Sequence, residues 1–160
     1  MAATLASNIV PPVYGYTILA VTGTFFLGFW HGLRVGQFRK AAGLGYPTPY
    51  ADTAQMNAAD PEKKKAMYLF NCAQRAHGNF LENLPCVVPA MLIGGLRFPV
   101  ATALAGLGWG ISRIVYAVGY TDKNKTNGSG RMLGSFFWLF QLGMFVMTGM
   151  VGYDLISKTF

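Results

Sequence analysis

Met132–Tyr153 reads MLGSFFWLFQLGMFVMTGMVGY, 22 residues without a single charge. Wound as a helix at 1.5 Å per residue it measures about 33 Å, enough to cross the roughly 30 Å hydrocarbon core of a bilayer. A helix on the surface of a soluble domain would show a charged face, and this one has none. Two further stretches share the pattern. Tyr14–Gly32 (YGYTILAVTGTFFLGFWHG) holds no Asp, Glu, Lys or Arg, and Val100–Tyr120 holds only Arg113. Across the 160 residues, 52% are hydrophobic and 12% charged, about half the ~25% charge of an ordinary soluble domain. Twelve Phe, eight Tyr and three Trp suit packing against lipid and anchoring at its interfaces. No basic residue precedes Tyr14–Gly32, and the run exceeds a typical apolar signal core, so it is expected to be retained.

Between these stretches, Arg34–Lys65 is polar and contains Pro47, Pro49 and Pro61, and it is expected to form a long loop. Asp60-Pro61-Glu62 offers a cap, a first-turn proline and an acid near the positive end of a helix. A second helix therefore starts near Asp60 and runs to about Leu96. Its purely apolar part, Leu84–Leu96, is too short to span alone, so polar residues from Asn71 to Glu82 lie within or near the membrane. Thr121–Arg131 (TDKNKTNGSGR) is a hydrophilic turn. The expected fold is all-α: one domain over 1–160, an integral membrane four-helix bundle with spans at about 14–33, 66–96, 99–120 and 132–156.

The net charge of +7 does not imply nucleic acid. The basic residues form no stripe and gather in two connections, where they act as topology signals. Arg34, Arg39, Lys40 and Lys63–Lys65 lie in the first connection and Lys123, Lys125 and Arg131 in the last, against Arg97 and Lys158 on the other side. That imbalance places 34–65 and 121–131 in the cytosol. The sequons Asn124-Lys125-Thr126 and Asn127-Gly128-Ser129 are then expected to stay unmodified. Cys72 and Cys86, on one helix and roughly 21 Å apart, cannot form a disulfide and have no zinc-site spacing; they are expected to be small buried apolar residues.

The segment with chemical content is Phe70–Pro85, FNCAQRAHGNFLENLP. Arg75, Asn79 and Glu82 fall at i, i+4 and i+7 on one helical face, with Asn71, Gln74 and Gly78 extending the stripe. On the next span Arg113, Tyr116 and Tyr120 fall at i, i+3 and i+7. Ionisable groups facing lipid cost several kcal/mol, so both stripes turn inward. Guanidinium groups for carboxylates, a carboxylate for an ammonium, an amide and two phenols match a small zwitterionic peptide with extra carboxylates. Spacing alone leaves a second account open, in which Arg75, Glu82 and Arg113 simply tie helices together. His31 matches no motif and is expected at the interface. Phe136, Phe137, Trp138 and Phe140 are expected to face lipid or pack.

NCAQRAHGNFLENLP, followed by RIVYAVGY on the next span, resembles the MAPEG superfamily of membrane proteins in eicosanoid and glutathione metabolism. The likeness covers roughly Val35–Gly134 and is greatest to the type-three microsomal glutathione transferases, with leukotriene-C synthase as a cousin. It implies a homotrimer of four-helix subunits, with glutathione as co-substrate in a cleft between neighbouring subunits near the cytosolic face and no metal. Glutathione would be held by Arg75, Asn79 and Glu82, with Tyr116 and Tyr120 as donors, Arg113 beside them and Arg39 on the same side. His77 is either a further contact or a packing residue. Arg131 would activate the thiol, because a guanidinium stays protonated and fixed positive charge lowers a thiol pKa from about 8.5. Lys40 would donate to the substrate oxygen, where leukotriene-C synthase has an arginine. Asn83 stands where that cousin has a tyrosine, and the turn after Tyr120 is longer here, so substrate identity is not carried across.

The implied activity is transfer of glutathione to lipophilic electrophiles delivered by membrane lipid, or reduction of lipid hydroperoxides, in the endoplasmic reticulum or another intracellular membrane. The alternative within the superfamily is a non-catalytic lipid-binding regulator. A channel subunit is disfavoured by the lack of paired intramembrane acids and broken helices.

Overall fold

A computed structural model of the chain describes residues 10–158, so both ends of the domain expected over 1–160 lie outside the described residues. Among the described residues the chain is helical without strands. A 3₁₀ turn at Pro12–Tyr14 leads into α1 (Gly15–Ala42), followed by a short α2 (Thr53–Ala58) and α3 (Pro61–Gly94). Then come α4 (Pro99–Tyr120), a 3₁₀ segment (Ser129–Gly134) and α5 (Phe137–Ser157). Three segments, Pro12–Ala42, Pro99–Tyr120 and Ser129–Ser157, are long and apolar enough to cross a membrane. The longest helix, α3, is not among them, because its charged first turn and the polar stripe that follows reach as far as Glu82. The apolar segments turn large side chains outward: Phe26 and Phe29 on α1, Leu104 and Leu107 on α4, and Leu139 and Val146 on α5 are each more than half exposed. Such a surface suits lipid and would be a liability in water. The chain is an integral membrane protein.

Local chemistry sets the helix ends. The Asp60 carboxylate accepts from the Lys63 amide at 2.9 Å, and Pro61 is the first helical residue, as the sequence predicts. The expected loop from Arg34 requires correction, since α1 continues to Ala42. A charge ends an apolar run but does not end a helix. The Arg34 guanidinium donates to Ala117 O at 3.2 Å and to the Thr121 hydroxyl, and it lies over the Trp30 and Phe38 rings at 5.6 and 4.9 Å. The helix stops at Gly43, φ +64°. The Gly43 amide bonds Lys40 O and the Leu44 amide bonds Arg39 O, at 3.1 and 3.2 Å, the paired bonds of a Schellman motif. At the other end of the chain, α5 begins at Phe137 and not Met132, because Ser129–Gly134 winds as 3₁₀.

Two compact units divide these elements. The first comprises residues 10–25, 84–111 and 136–158 among those described. Its interior holds Val87, Met91, Trp109 and Met144, all fully buried. The Trp109 indole donates to Gln141 Oε1 at 3.1 Å. Arg97 pairs with Asp154.

The second unit, Phe26–Asn83 with Ser112–Ser135, contains every residue of chemical interest named above. Val35, Ala42, Ala51, Met67, Phe70 and Ala73 form its buried cluster. Asn71 clamps the connection onto α3: its Oδ1 accepts from the Ala51 amide at 2.9 Å and its Nδ2 donates to Ala51 O at 2.8 Å. Both cysteines are free, but only Cys72 is buried; Cys86 is exposed, which corrects half of that expectation.

Candidate functional site

Seven side chains of the second unit form one connected series. It starts on α3, where Arg75 Nη1 meets Glu82 Oε1 at 2.8 Å. Residues seven apart lie two turns up one helical face, within reach of two long side chains. Glu82 Oε2 accepts from Asn79 Nδ2 at 3.3 Å. The amide oxygen of Asn79 accepts from Arg113 Nη1 and Nη2 at 2.9 and 3.0 Å. Cation on one side and carboxylate on the other fix which way this amide points. Asn83, one turn on, donates to Asn79 O at 2.8 Å.

From Arg113 the series follows α4. The guanidinium lies 4.9 Å from the Tyr116 ring centroid, Tyr116 meets Tyr120 edge-on at 5.6 Å, and Arg131 covers Tyr120 at 5.1 Å. Arg131 Nη1 donates to Asn127 O and Gly128 O, both at 3.0 Å. Among the described residues its other two nitrogens make no hydrogen bond.

Glycines make the last step possible. A Cβ on Gly134 would fall 2.5 Å from Ser112 O, and one on Gly119 would fall 2.7 Å from the Gly130 carbonyl carbon. The 3₁₀ segment therefore lies directly on the α4 backbone, at a distance no other residue permits. Asn127 and Gly128 both adopt positive φ, at 53° and 59°, turning the chain so that Arg131 returns over Tyr120. The sequence shows the glycines but not that two segments meet at them.

The series balances burial against access. Arg113 is fully buried, while Arg75 and Glu82 are about half exposed. Three guanidinium groups face one carboxylate, so the site carries excess positive charge. A buried arginine in a membrane protein is costly unless it serves a ligand or a partner. The arrangement can hold a ligand with more than one anionic group and at least one cationic one, and it can stabilise an anion beside Arg131.

Three predicted residues lie off the series. Arg39, 8% exposed, sits between the Tyr46 and Phe70 rings at 4.4 and 4.7 Å. It donates to Thr48 O at 2.6 Å and Gly45 O at 3.3 Å, closing the connection after α1. Lys40 is exposed and lines a polar hollow with Gly43, Asp60, Glu62 and Lys63. His77 stacks on His31 with centroids 5.8 Å apart. His31 is buried within the protein: it is 2% exposed and also packs on Phe80 at 4.7 Å and Trp30 at 5.0 Å. Helical spacing could have found this, since Phe80 and His77 share one flank of α3.

The family model of the MAPEG family matches residues 17–150. The chain belongs to that family of membrane proteins of glutathione metabolism, which has both enzymes and non-catalytic members. The match spans both arms of the polar series.

Proposed function

We propose that the chain is a membrane-bound glutathione transferase with glutathione peroxidase activity, resembling the type-three microsomal enzymes. It would work as a homotrimer of subunits that each cross the membrane four times, α3 included. The observation that carries the reading is the unbroken series Arg75–Glu82–Asn79–Arg113–Tyr116–Tyr120–Arg131 within one unit. A regulator that binds lipid alone has no use for a buried arginine coupled through an amide to a carboxylate.

Glutathione brings two carboxylates, an ammonium and a thiol. In this reading Arg75 receives a carboxylate, Glu82 takes the ammonium and Asn79 pairs with a peptide group, while the buried Arg113 acts from beneath by holding the Asn79 amide. The thiol lies beside Arg131 and gives its proton to water, and the thiolate is stabilised by the guanidinium and a Tyr116 hydrogen bond. Attack on an electrophilic carbon forms the C–S bond and expels the leaving group with its electron pair. With a hydroperoxide, attack on oxygen yields the alcohol and a glutathione sulfenic acid. A second glutathione then gives the disulfide and water.

Lys40 as proton donor to the substrate oxygen rests on the resemblance, and so does His77 as a contact. In a trimer with its cleft between subunits, Lys40 would serve a neighbour's site. Arg39 would act by holding the connection that borders the cleft. Cytosolic placement of 34–65 and 121–131, and residence in the endoplasmic reticulum, complete the proposal.

The test is turnover of glutathione with an aryl halide and with a lipid hydroperoxide, by wild type and Arg131→Ala. Saturable glutathione binding with no turnover of either substrate by wild type would give the site to the non-catalytic members' role.

A further inference from the structure

Arginine and lysine are used differently in this chain. All six arginines make a hydrogen bond or ion pair: Arg34, Arg39, Arg75, Arg97, Arg113 and Arg131. The lysines of the second unit are all exposed, and no lysine among the described residues forms an ion pair, although Lys64 Nζ donates to Asn57 Oδ1 at 3.1 Å. Five of them stand where long helices begin or end. Lys63, Lys64 and Lys65 occupy the first turn or so of α3, and Lys123 and Lys125 follow directly on the apolar α4.

Both groups lie at one end of the unit. Arg34 ties the last third of α1 to Ala117 and Thr121 at the end of α4. Ala42 at the end of α1 packs in one cluster with Met67 at the start of α3. The start of α3 and the end of α4 therefore both lie along the last third of α1.

We propose that Lys63, Lys64, Lys65, Lys123 and Lys125 form a binding surface for the headgroups of anionic phospholipids in the protein's own leaflet. Flexible ammonium groups beside the ends of membrane helices reach phosphates without a fixed geometry. The spread of the three consecutive lysines selects lipid over a docked protein. At 100° per residue they fan over about 200° of the helix circumference. A protein partner meets one face of a helix, whereas lipid surrounds it. The neighbouring acids Asp60, Glu62 and Asp122 offset part of this charge, and five lysines against three carboxylates leave the patch net positive.

The experiment uses the full chain in vesicles of equal parts phosphatidylcholine and phosphatidylserine, with retained lipids counted by native mass spectrometry after mild detergent release. Wild type and a Lys158→Gln control should retain phosphatidylserine enriched about fivefold or more over the vesicle ratio, the scale of one lysine near an anionic surface. The variant K63Q/K64Q/K65Q/K123Q/K125Q should fall to the vesicle ratio, while its glutathione binding stays at wild-type affinity and reports correct folding. No enrichment in wild type would overturn the proposal and leave the patch to a soluble acidic partner. Enrichment that persists in the five-lysine variant would overturn it equally. Because lipid retention is read without turnover, its failure is distinct from failure of the glutathione assignment.

Discussion

At the scale of single residues, Asn79 is the hinge of the account, because its amide joins Arg113 to Glu82. Six of the seven members of the series could be read from the sequence as two helical faces, since a fixed 100° step places groups on a face without tertiary information. Their joining across two helices could not be read that way, nor could Arg39's capture of Gly45 O and Thr48 O, which depends on a connection with no periodicity. Arg131→Ala should keep glutathione affinity and lose turnover at neutral pH by on the order of 10²-fold, the usual cost of removing one stabilising donor. The sign of its pH dependence is fixed. Without the guanidinium the thiol returns toward about 8.5, so activity lost at pH 7 should recover as pH rises through that value. Pre-steady-state thiolate absorbance against pH reads this directly, and a flat profile would remove Arg131 from the chemistry. Glu82→Gln should weaken glutathione binding by about tenfold or more, from loss of a charge-assisted bond worth roughly 1.5–3 kcal/mol. Calorimetric titration checks it, and wild-type affinity in that variant would make Glu82 a helix tie.

Among the elements, the 3₁₀ segment on α4 is the part whose geometry matters most and whose sequence says least. Gly119, Gly130 and Gly134 permit a backbone approach that brings Arg131 over Tyr120. Gly134→Ala should drive the segment off α4 and destabilise the protein by about 1–3 kcal/mol, with turnover falling more than glutathione affinity. A thermal melt in detergent and paired kinetics separate the two effects. Wild-type turnover in a destabilised variant would detach the segment from catalysis. The start of α3 was legible because Asp60-Pro61-Glu62 is local chemistry. The length of α1 was not, since hydropathy locates where a helix leaves the apolar layer and not where it ends. That end is set by Gly43 and by Arg34's bonds to α4, and only the glycine is visible in the sequence.

Over the whole molecule, the contrast between bonded arginines and exposed lysines without ion pairs links topology to function. If the lysine-bearing connections face the cytosol, the sequons at Asn124 and Asn127 stay bare, while an acceptor site engineered beside Arg97 becomes glycosylated. A gel-shift assay in microsomes checks both at once, and modification at Asn124 or Asn127 would invert the orientation. Cross-linking in native membranes should give a trimer as its largest species. The central claim is that the polar series binds glutathione and makes it a thiolate. The most direct measurement is ultraviolet thiolate absorbance when glutathione is added to purified protein in detergent at neutral pH, followed by an aryl halide. The account predicts a saturable thiolate signal that the electrophile consumes, absent in Arg131→Ala at the same pH. No glutathione binding by wild type would contradict it and reduce the series to helix packing.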